Sequence, residues 1–347
     1  MTEPLTRLRR LLPALTGRSE PLAVESMPGG ASTRQFFRVT LAPGQSAVAM
    51  YVPDATRSDE IVKADAPPSK WPFIEVRELL AERGVSVPSL LGEACADGFI
   101  LVEDLGDDTL ARYLERQPDA REALYRRAVR DLAEAQRALS ALPEQSVVQT
   151  RAFDEDLLEW EVDHFREWAL EARQIELDAE GRSVFARAAK HLAKTIASWP
   201  RHFVHRDYQS RNLMVRTGPD GPALVWIDFQ DALLGPRVYD LVALLSDSYQ
   251  TFDHDFVQAR LDEYAAHLEL DSAERAAVGR EFLLVTVQRK LKDAGRFVYI
   301  DRVRGNPAFL QFVEPTVEKV QGALSQLTDD PVLADLKRLL DRSLGGS

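Results

Sequence analysis

The stretch from Phe203 to Leu245 constrains this chain more than any other, reading FVHRDYQSRNLMVRTGPDGPALVWIDFQDALLGPRVYDLVALL. Two apolar runs, Leu213-Met214-Val215 and Leu224-Val225-Trp226-Ile227, flank Thr217-Gly218-Pro219-Asp220-Gly221-Pro222. That middle segment is dense in turn formers, so the pattern predicts a β-hairpin. A hairpin fixes where the polar residues at its open end must sit. Asn212 opens the first strand and Asp228 closes the second, so pairing brings an amide and a carboxylate side by side. Asp207, after His205-Arg206, lies five residues before Asn212.

Those residue types suit one kind of chemistry. Magnesium is a hard cation that takes oxygen ligands, and an amide oxygen and a carboxylate supply them. Phosphoryl transfer has a loose transition state, so an enzyme mainly positions groups and neutralises charge. One carboxylate must hold the acceptor hydroxyl and take its proton. The spacing H-R-D-x-x-x-x-N followed by D-F is the catalytic-loop and metal-loop pattern of kinases. Asp207 is therefore the expected base, and Asn212 and Asp228 the expected Mg²⁺ ligands. His205 is expected to support the loop without doing chemistry. Asp240, opening an apolar helical run, is expected to brace the loop from behind. Arg211, four residues after Asp207, is expected to neutralise the moving phosphoryl group or orient the acceptor; a surface ion pair is its other reading.

HRDYQSRNLMV and IDFQDALLGPRVYDLVALL resemble the aminoglycoside phosphotransferase and choline kinase superfamily, relatives of the protein kinases. GGASTRQFFRV near the start, ADAPP at 64–68, GFILVEDLGDDTL at 98–110, FDEDLLEWEVDHF at 153–165 and VQRKLKDAGRF at 287–297 are similar to one branch of it. That branch holds the bacterial kinases that phosphorylate N-acetylmuramate and N-acetylglucosamine at the anomeric hydroxyl. The resemblance implies an α+β, protein-kinase-like bilobal fold, with a small antiparallel β-rich lobe over 1–105 and a larger, mainly helical lobe over 106–347. It implies ATP and Mg²⁺ as cofactors and a small sugar as partner. An anomeric hydroxyl suits such a site, because it is acidic enough for a modestly basic carboxylate to accept its proton late.

Residues 22–52 read as three strands with a Gly29-Gly30 turn between the first two. In kinases such a small-residue turn covers the ATP phosphates, since missing side chains let backbone N–H groups approach. Gly29, Gly30, the hydroxyls of Ser32 and Thr33, and Arg34 as a charge partner are the expected nucleotide contacts. The third strand departs from the kinase pattern: Val48-Ala49-Met50 places Met50 where the phosphate-binding lysine falls. Arg34, Lys63 or Lys70 are the cations available to replace it; the two lysines flank an apparent insertion at 54–70. Phe73 to Arg83 reads as an amphipathic helix, with Glu75 or Glu78 where kinases keep the glutamate that pairs with the lysine. Strands are expected over Val87 to Leu91 and Phe99 to Val102. Glu103-Asp104-Leu105-Gly106 then fits a hinge, where Glu103 and Leu105 meet adenine through their backbone.

The remainder is read as helical: 2–16, 109–141, 153–172 with Asp154 as cap, 182–199, 253–267, 273–293 and 309–324. Trp160 and Trp168 are either core or stacked on a sugar ring. Arg289, Lys292 and Arg296 give the segment 287–297 a basic side, suited to an anionic group such as the lactyl carboxylate of N-acetylmuramate or else simply solvated. The net charge of −12 argues against nucleic acid, which needs a basic face. A single cysteine, Cys95, excludes an internal disulfide and fits a reducing compartment. No apolar run approaches spanning length, so a cytoplasmic protein away from the membrane, monomer or weak dimer, is expected. Two alternatives stand beside the amino-sugar kinase. One is a kinase for another alcohol, such as an aminoglycoside or choline, whose cationic acceptors the basic segment disfavours. The other is a catalytically silent nucleotide-binding scaffold, motivated by Met50.

Overall fold

A computed structural model of the chain describes residues 3–17, 21–28, 34–53, 71–219 and 221–344. Helix α1 (Glu3–Thr16) precedes strands β1 (Ala23–Ser26), β2 (Gln35–Ala42) and β3 (Gln45–Tyr51). Helix α2 (Pro72–Glu82) follows, then β4 (Leu90–Ala94) and β5 (Phe99–Glu103). The five strands form one antiparallel sheet in the order β1-β2-β3-β5-β4. Alternation along the strands divides the apolar residues between two faces. Phe37, Val39, Ala47, Ala49 and Leu101 pack with Leu8 and Leu12 of α1. Met50, Ile100 and Val102 join Phe73, Ile74, Val76 and Leu80 of α2 in the main core.

Strand β4 starts three residues later than the expected Val87. Pro88 lacks the N–H that a ladder needs, and the Pro88 carbonyl instead takes a hydrogen bond from Arg77 (3.0 Å). After β5, Asp104 accepts the Gly106 N–H (2.9 Å). It also pairs with Arg38 of β2 (2.8 Å), whose guanidinium reaches Asp107 as well (2.9 Å).

The rest is mainly helical: α3 (Leu110–Arg116), α4 (Arg121–Ala138), α5 (Glu155–His164) and α6 (Ala179–Ala197). Short strands β6 (Arg201–Val204), β7 (Leu213–Gly218), β8 (Gly221–Trp226) and β9 (Leu233–Pro236) come next, β7 pairing with β8 and β6 with β9. Helices α7 (Tyr239–Leu245), α8 (His254–His267), α9 (Ser272–Arg304), α10 (Val313–Gln326) and α11 (Pro331–Leu344) complete the described chain. Asp154 caps α5 by accepting the Leu157 N–H (2.8 Å). A π-helical turn, Phe165–Leu170, extends α5. No helix among the described residues is long and apolar enough to cross a membrane.

Helix α9 runs 33 residues, eleven beyond the expected end at 293, from an Asp271/Glu274 capping box to a left-handed Gly305. Gly295 lies inside it and is a point of close approach. A Cβ built there would stand 2.5 Å from the His164 carbonyl oxygen and 2.8 Å from its carbon. Both contacts are backbone, so neither yields easily. Gly295→Ala is expected to cost about 3 kcal/mol of stability, read as a lowered denaturant midpoint at unchanged slope.

Candidate active site

The β7–β8 hairpin forms as its turn residues require, with Leu213 opposite Trp226. One step beyond the ladder, the Ile227 N–H donates to the Asn212 carbonyl (3.0 Å). Asn212 and Asp228 therefore share the open end of the hairpin. The Asn212 amide nitrogen donates to the Asp207 carbonyl (2.9 Å), which ties the hairpin to the loop carrying Asp207 and leaves the amide oxygen as the atom on offer.

That loop is held from below. Asp240, fully buried at the start of α7, accepts the N–H groups of His205 (2.6 Å) and Arg206 (3.0 Å). Burial pushes its carboxyl up to about 7, against the pull of those N–H groups and of Arg289. Asp247, beyond the end of α7, accepts the Ser210 N–H (3.1 Å) and hydroxyl (2.5 Å). The Tyr208 hydroxyl, also buried, donates to the Ala128 carbonyl (2.9 Å). Arg206 takes a left-handed backbone, φ 79°, which is rare for a residue with a Cβ. Its guanidinium reaches the buried Glu161 of α5 (3.3 Å), whose other oxygen accepts from Gln288 of α9 (2.8 Å). Against this buried frame the Asp207 side chain is 46% exposed.

His205 lies buried between the rings of Tyr208 and Trp226. Its Nδ1 accepts the Asp207 N–H (3.3 Å), which requires a neutral ring. Burial pushes the imidazole down to about 4. A histidine whose folded value is depressed contributes stability above pH 6.5 that is lost as pH falls toward 4, up to about 3 kcal/mol here. Wild-type unfolding followed across that range should show this slope, and His205→Gln should lack it.

Asp228 also has a left-handed backbone, φ 65°. Its Oδ1 accepts from Arg34 (2.7 Å) and from the Gln230 amide (2.9 Å). Burial alone would raise this carboxyl, but Arg34 and Gln230 outweigh it and hold it below the usual carboxylate range. Arg34 also approaches Asp231 (3.6 Å). Among the described residues no group of three or more His, Cys, Asp or Glu side chains could hold a metal ion. Magnesium does not need one: it keeps waters and takes one or two carboxylates plus substrate phosphates. The Asn212 oxygen and the Asp228 carboxylate fit that demand.

Other expected residues fall elsewhere. Gly29, Gly30, Ser32, Thr33, Lys63, Lys70 and the 54–70 segment lie outside the described residues. Met50 points into the core with Phe73 and Ile74, and Glu75 accepts the Val147 N–H. The Glu103 side chain bridges Ser89 N–H (3.1 Å) and Arg216 (2.6 Å); Leu105 is half-buried just beyond β5. Arg211 forms no surface ion pair among the contacts described. It sits over the Tyr249 ring at 3.5 Å and near Phe312 at 5.6 Å. Trp168 meets Tyr299 edge-on at 5.0 Å beside the cluster of Phe297, Phe309 and Phe312, and Arg296 lies over that same Tyr299 ring at 4.9 Å.

The expected basic side of the 287–297 segment is not a solvated face, and of its three residues only Arg296 is half-buried. Arg289, Lys290 and Lys292 are buried, and they gather around Asp293, which they pull well below the carboxylate range although burial alone would raise it. The reason is that α9 is packed by other helices on several sides, so clustering on a helical wheel does not mark solvent. Arg289 is 2% exposed and donates to the Arg206 carbonyl (2.6 Å) and to Asp207 Oδ1 (3.1 Å). Asp247, Glu161 and Gln288 escaped sequence reading. Only Asp247 left a local trace, a polar Ser-Asp-Ser immediately after an apolar helix.

An antiparallel sheet followed by a mainly helical body, with a loop carrying Asp207 tied to the hairpin end of Asn212 and Asp228, is the arrangement of a kinase-like phosphotransferase. Comparison with known proteins agrees. The description of the phosphotransferase enzyme family APH matches residues 23–277, and the chain belongs to that family. It is 33% identical over 291 residues to an N-acetylmuramate/N-acetylglucosamine kinase of Pseudomonas aeruginosa, with 81% of each chain covered. It is 33% identical over 304 residues to the protein of the same name in Neisseria meningitidis serogroup B, with 82% of each covered. Among solved structures, the choline kinase of Streptococcus pneumoniae superposes with a TM-score of 0.63 at 15% identity, covering 92% of this chain and all of that one. A GDP complex of an aminoglycoside 2′-phosphotransferase gives 0.61 at 15%, covering 93% and 98%. These last two likenesses concern the fold.

Proposed function

We propose that this enzyme transfers the γ-phosphate of ATP, with Mg²⁺, to the anomeric hydroxyl of a cell-wall amino sugar, N-acetylmuramate and/or N-acetylglucosamine, in the cytoplasm. The observation that carries the chemistry is the Asp207 loop, tied through its backbone carbonyl to Asn212 at the hairpin end that also carries Asp228, with the Asp207 side chain 46% exposed. The choice of acceptor is supported by four relatives, 30–33% identical over most of the chain, that bear that kinase name.

In this reading Asp207 accepts the proton of the sugar hydroxyl as its oxygen bonds to the γ-phosphorus and the bond to ADP breaks. Asn212 and Asp228 hold Mg²⁺, which when bound neutralises phosphate charge. Asp240 and His205 keep the loop in place. Gly29, Gly30, Ser32 and Thr33, which lie outside the described residues, are the proposed phosphate contacts, and the backbone of Glu103 and Leu105 the proposed contact to the base. Arg211, stacked on Tyr249, lies on the acceptor side with Trp168 and Arg296. Arg34 is the cation that stands in for the lysine replaced by Met50, since it already reaches Asp228. Arg34→Ala is expected to raise KM for ATP about 10- to 30-fold, as loss of a charged hydrogen bond would, with a smaller change in kcat; steady-state kinetics at saturating sugar read both.

The test is ATP turnover against a panel of amino sugars, neutral sugars, aminoglycosides and choline, with Asp207→Asn as control. Sugar-dependent ADP release and a 1-phosphate product support the reading. Turnover only with amines reassigns the acceptor, and no turnover with any acceptor returns the chain to a nucleotide-binding scaffold.

A further inference from the structure

We infer that Arg289, a buried arginine on α9, is the positioning residue for the base Asp207, fixing the orientation of its carboxylate through a bond to Oδ1. The inference rests on the reading of Asp207 as base. A buried guanidinium is tolerated only when its charge and donors are met. Asp293, one turn away on the same helix, already offers charge compensation, with Oδ2 at 3.8 Å from Nε. Yet both terminal nitrogens are spent on consecutive residues of the catalytic loop: Nη1 on the Arg206 carbonyl at 2.6 Å and Nη2 on Asp207 Oδ1 at 3.1 Å. The plane of donors is itself supported, with the guanidinium over the Tyr239 ring at 4.7 Å.

The backbone explains why a second clamp is needed. Arg206 holds a left-handed conformation, φ 79°, and this turn aims Asp207 out of the buried loop. Asp240 fixes the amide side of Arg206, but it does not touch the carbonyl or the Asp207 side chain. Arg289 secures both. A carboxylate whose Oδ1 is held cannot rotate freely about χ2, so it is kept in one orientation. Well-oriented groups of this kind account for much of an enzyme's advantage. A lysine has one compact charge and no fork, so it cannot span both acceptors in the same geometry.

The test is a double-mutant cycle with radiolabelled ATP and whichever acceptor the wild type turns over, so failure to use amino sugars leaves the cycle intact. Arg289→Lys is expected to lower kcat about 30-fold while KM for ATP stays within about two-fold. Because Arg289 acts through Asp207, adding Arg289→Lys to Asp207→Asn should reduce the residual rate by less than about two-fold. Independent, multiplying losses would overturn the inference, as would a loss carried by KM for ATP. Arg289→Gln, which keeps an amide donor without the charge, goes through the same cycle if the lysine variant does not fold. Loss of ATP binding by both variants would also overturn it, since Arg289 would then hold the fold and not the base.

Discussion

Asp207→Asn should lower kcat about 10³-fold, within the range that removal of a general base produces. It should leave KM for ATP and the unfolding midpoint close to wild type. The two halves of that expectation have separate origins. The substitution keeps shape and one oxygen for Arg289, but removes the lone pair that takes the hydroxyl proton. The side chain is 46% exposed, so little packing depends on it. The loop is instead held by bonds that the substitution does not touch: Asp240 to His205 and Arg206, and Asp247 to Ser210. Burst and steady-state rates with labelled ATP, compared with nucleotide binding by calorimetry, separate these effects. A loss below ten-fold would remove Asp207 from the base role, and an equal loss of ATP affinity would recast it as a binding residue.

How far the sequence foretold this site depends on how local each contact is. Asn212 and Asp228 were legible because a hairpin is a short-range object. Its turn residues fix which ends meet, and Leu213 faces Trp226 as that requires. Met50 was legible as a departure, since strand alternation sends it to the face covered by α2. Arg34 was one of three possible replacements, and only the three-dimensional fold brings it, just ahead of β2, to Asp228. The residues beneath the loop were not legible. Glu161, Gln288 and Arg289 act across separations of 45, 127 and 82 residues, and no pattern within one helix reports such a pairing. Helix α9 misled most, because its buried positions run almost all round it between Leu284 and Ile300. A charged stretch on such a helix is paired inside the protein.

Asp240→Asn should damage both the fold and the rate, which separates it from Asp207→Asn. Asp240 is fully buried, and each of its oxygens takes one backbone N–H, from His205 at 2.6 Å and Arg206 at 3.0 Å. An asparagine replaces one acceptor by an NH₂ group, which then points a donor at a donor. One buried amide is left without a partner, at a cost of about 1–3 kcal/mol. The left-handed Arg206 also loses part of what holds it, and strain of this kind is worth roughly 1–3 kcal/mol. The expected loss is about 3 kcal/mol of stability at pH 8, above the value of about 7 to which burial pushes this carboxyl so that both oxygens accept, with kcat down about 10²-fold because Asp207 is no longer aimed at one place. Denaturant titration and single-turnover transfer on the same preparation measure the two together. A variant as stable as wild type but slow would mean that Asp240 acts electrostatically on the base. A destabilised variant with an unchanged rate would confine Asp240 to holding α7 against the loop. The combined loss is what a carboxylate carrying the backbone of a catalytic turn must show.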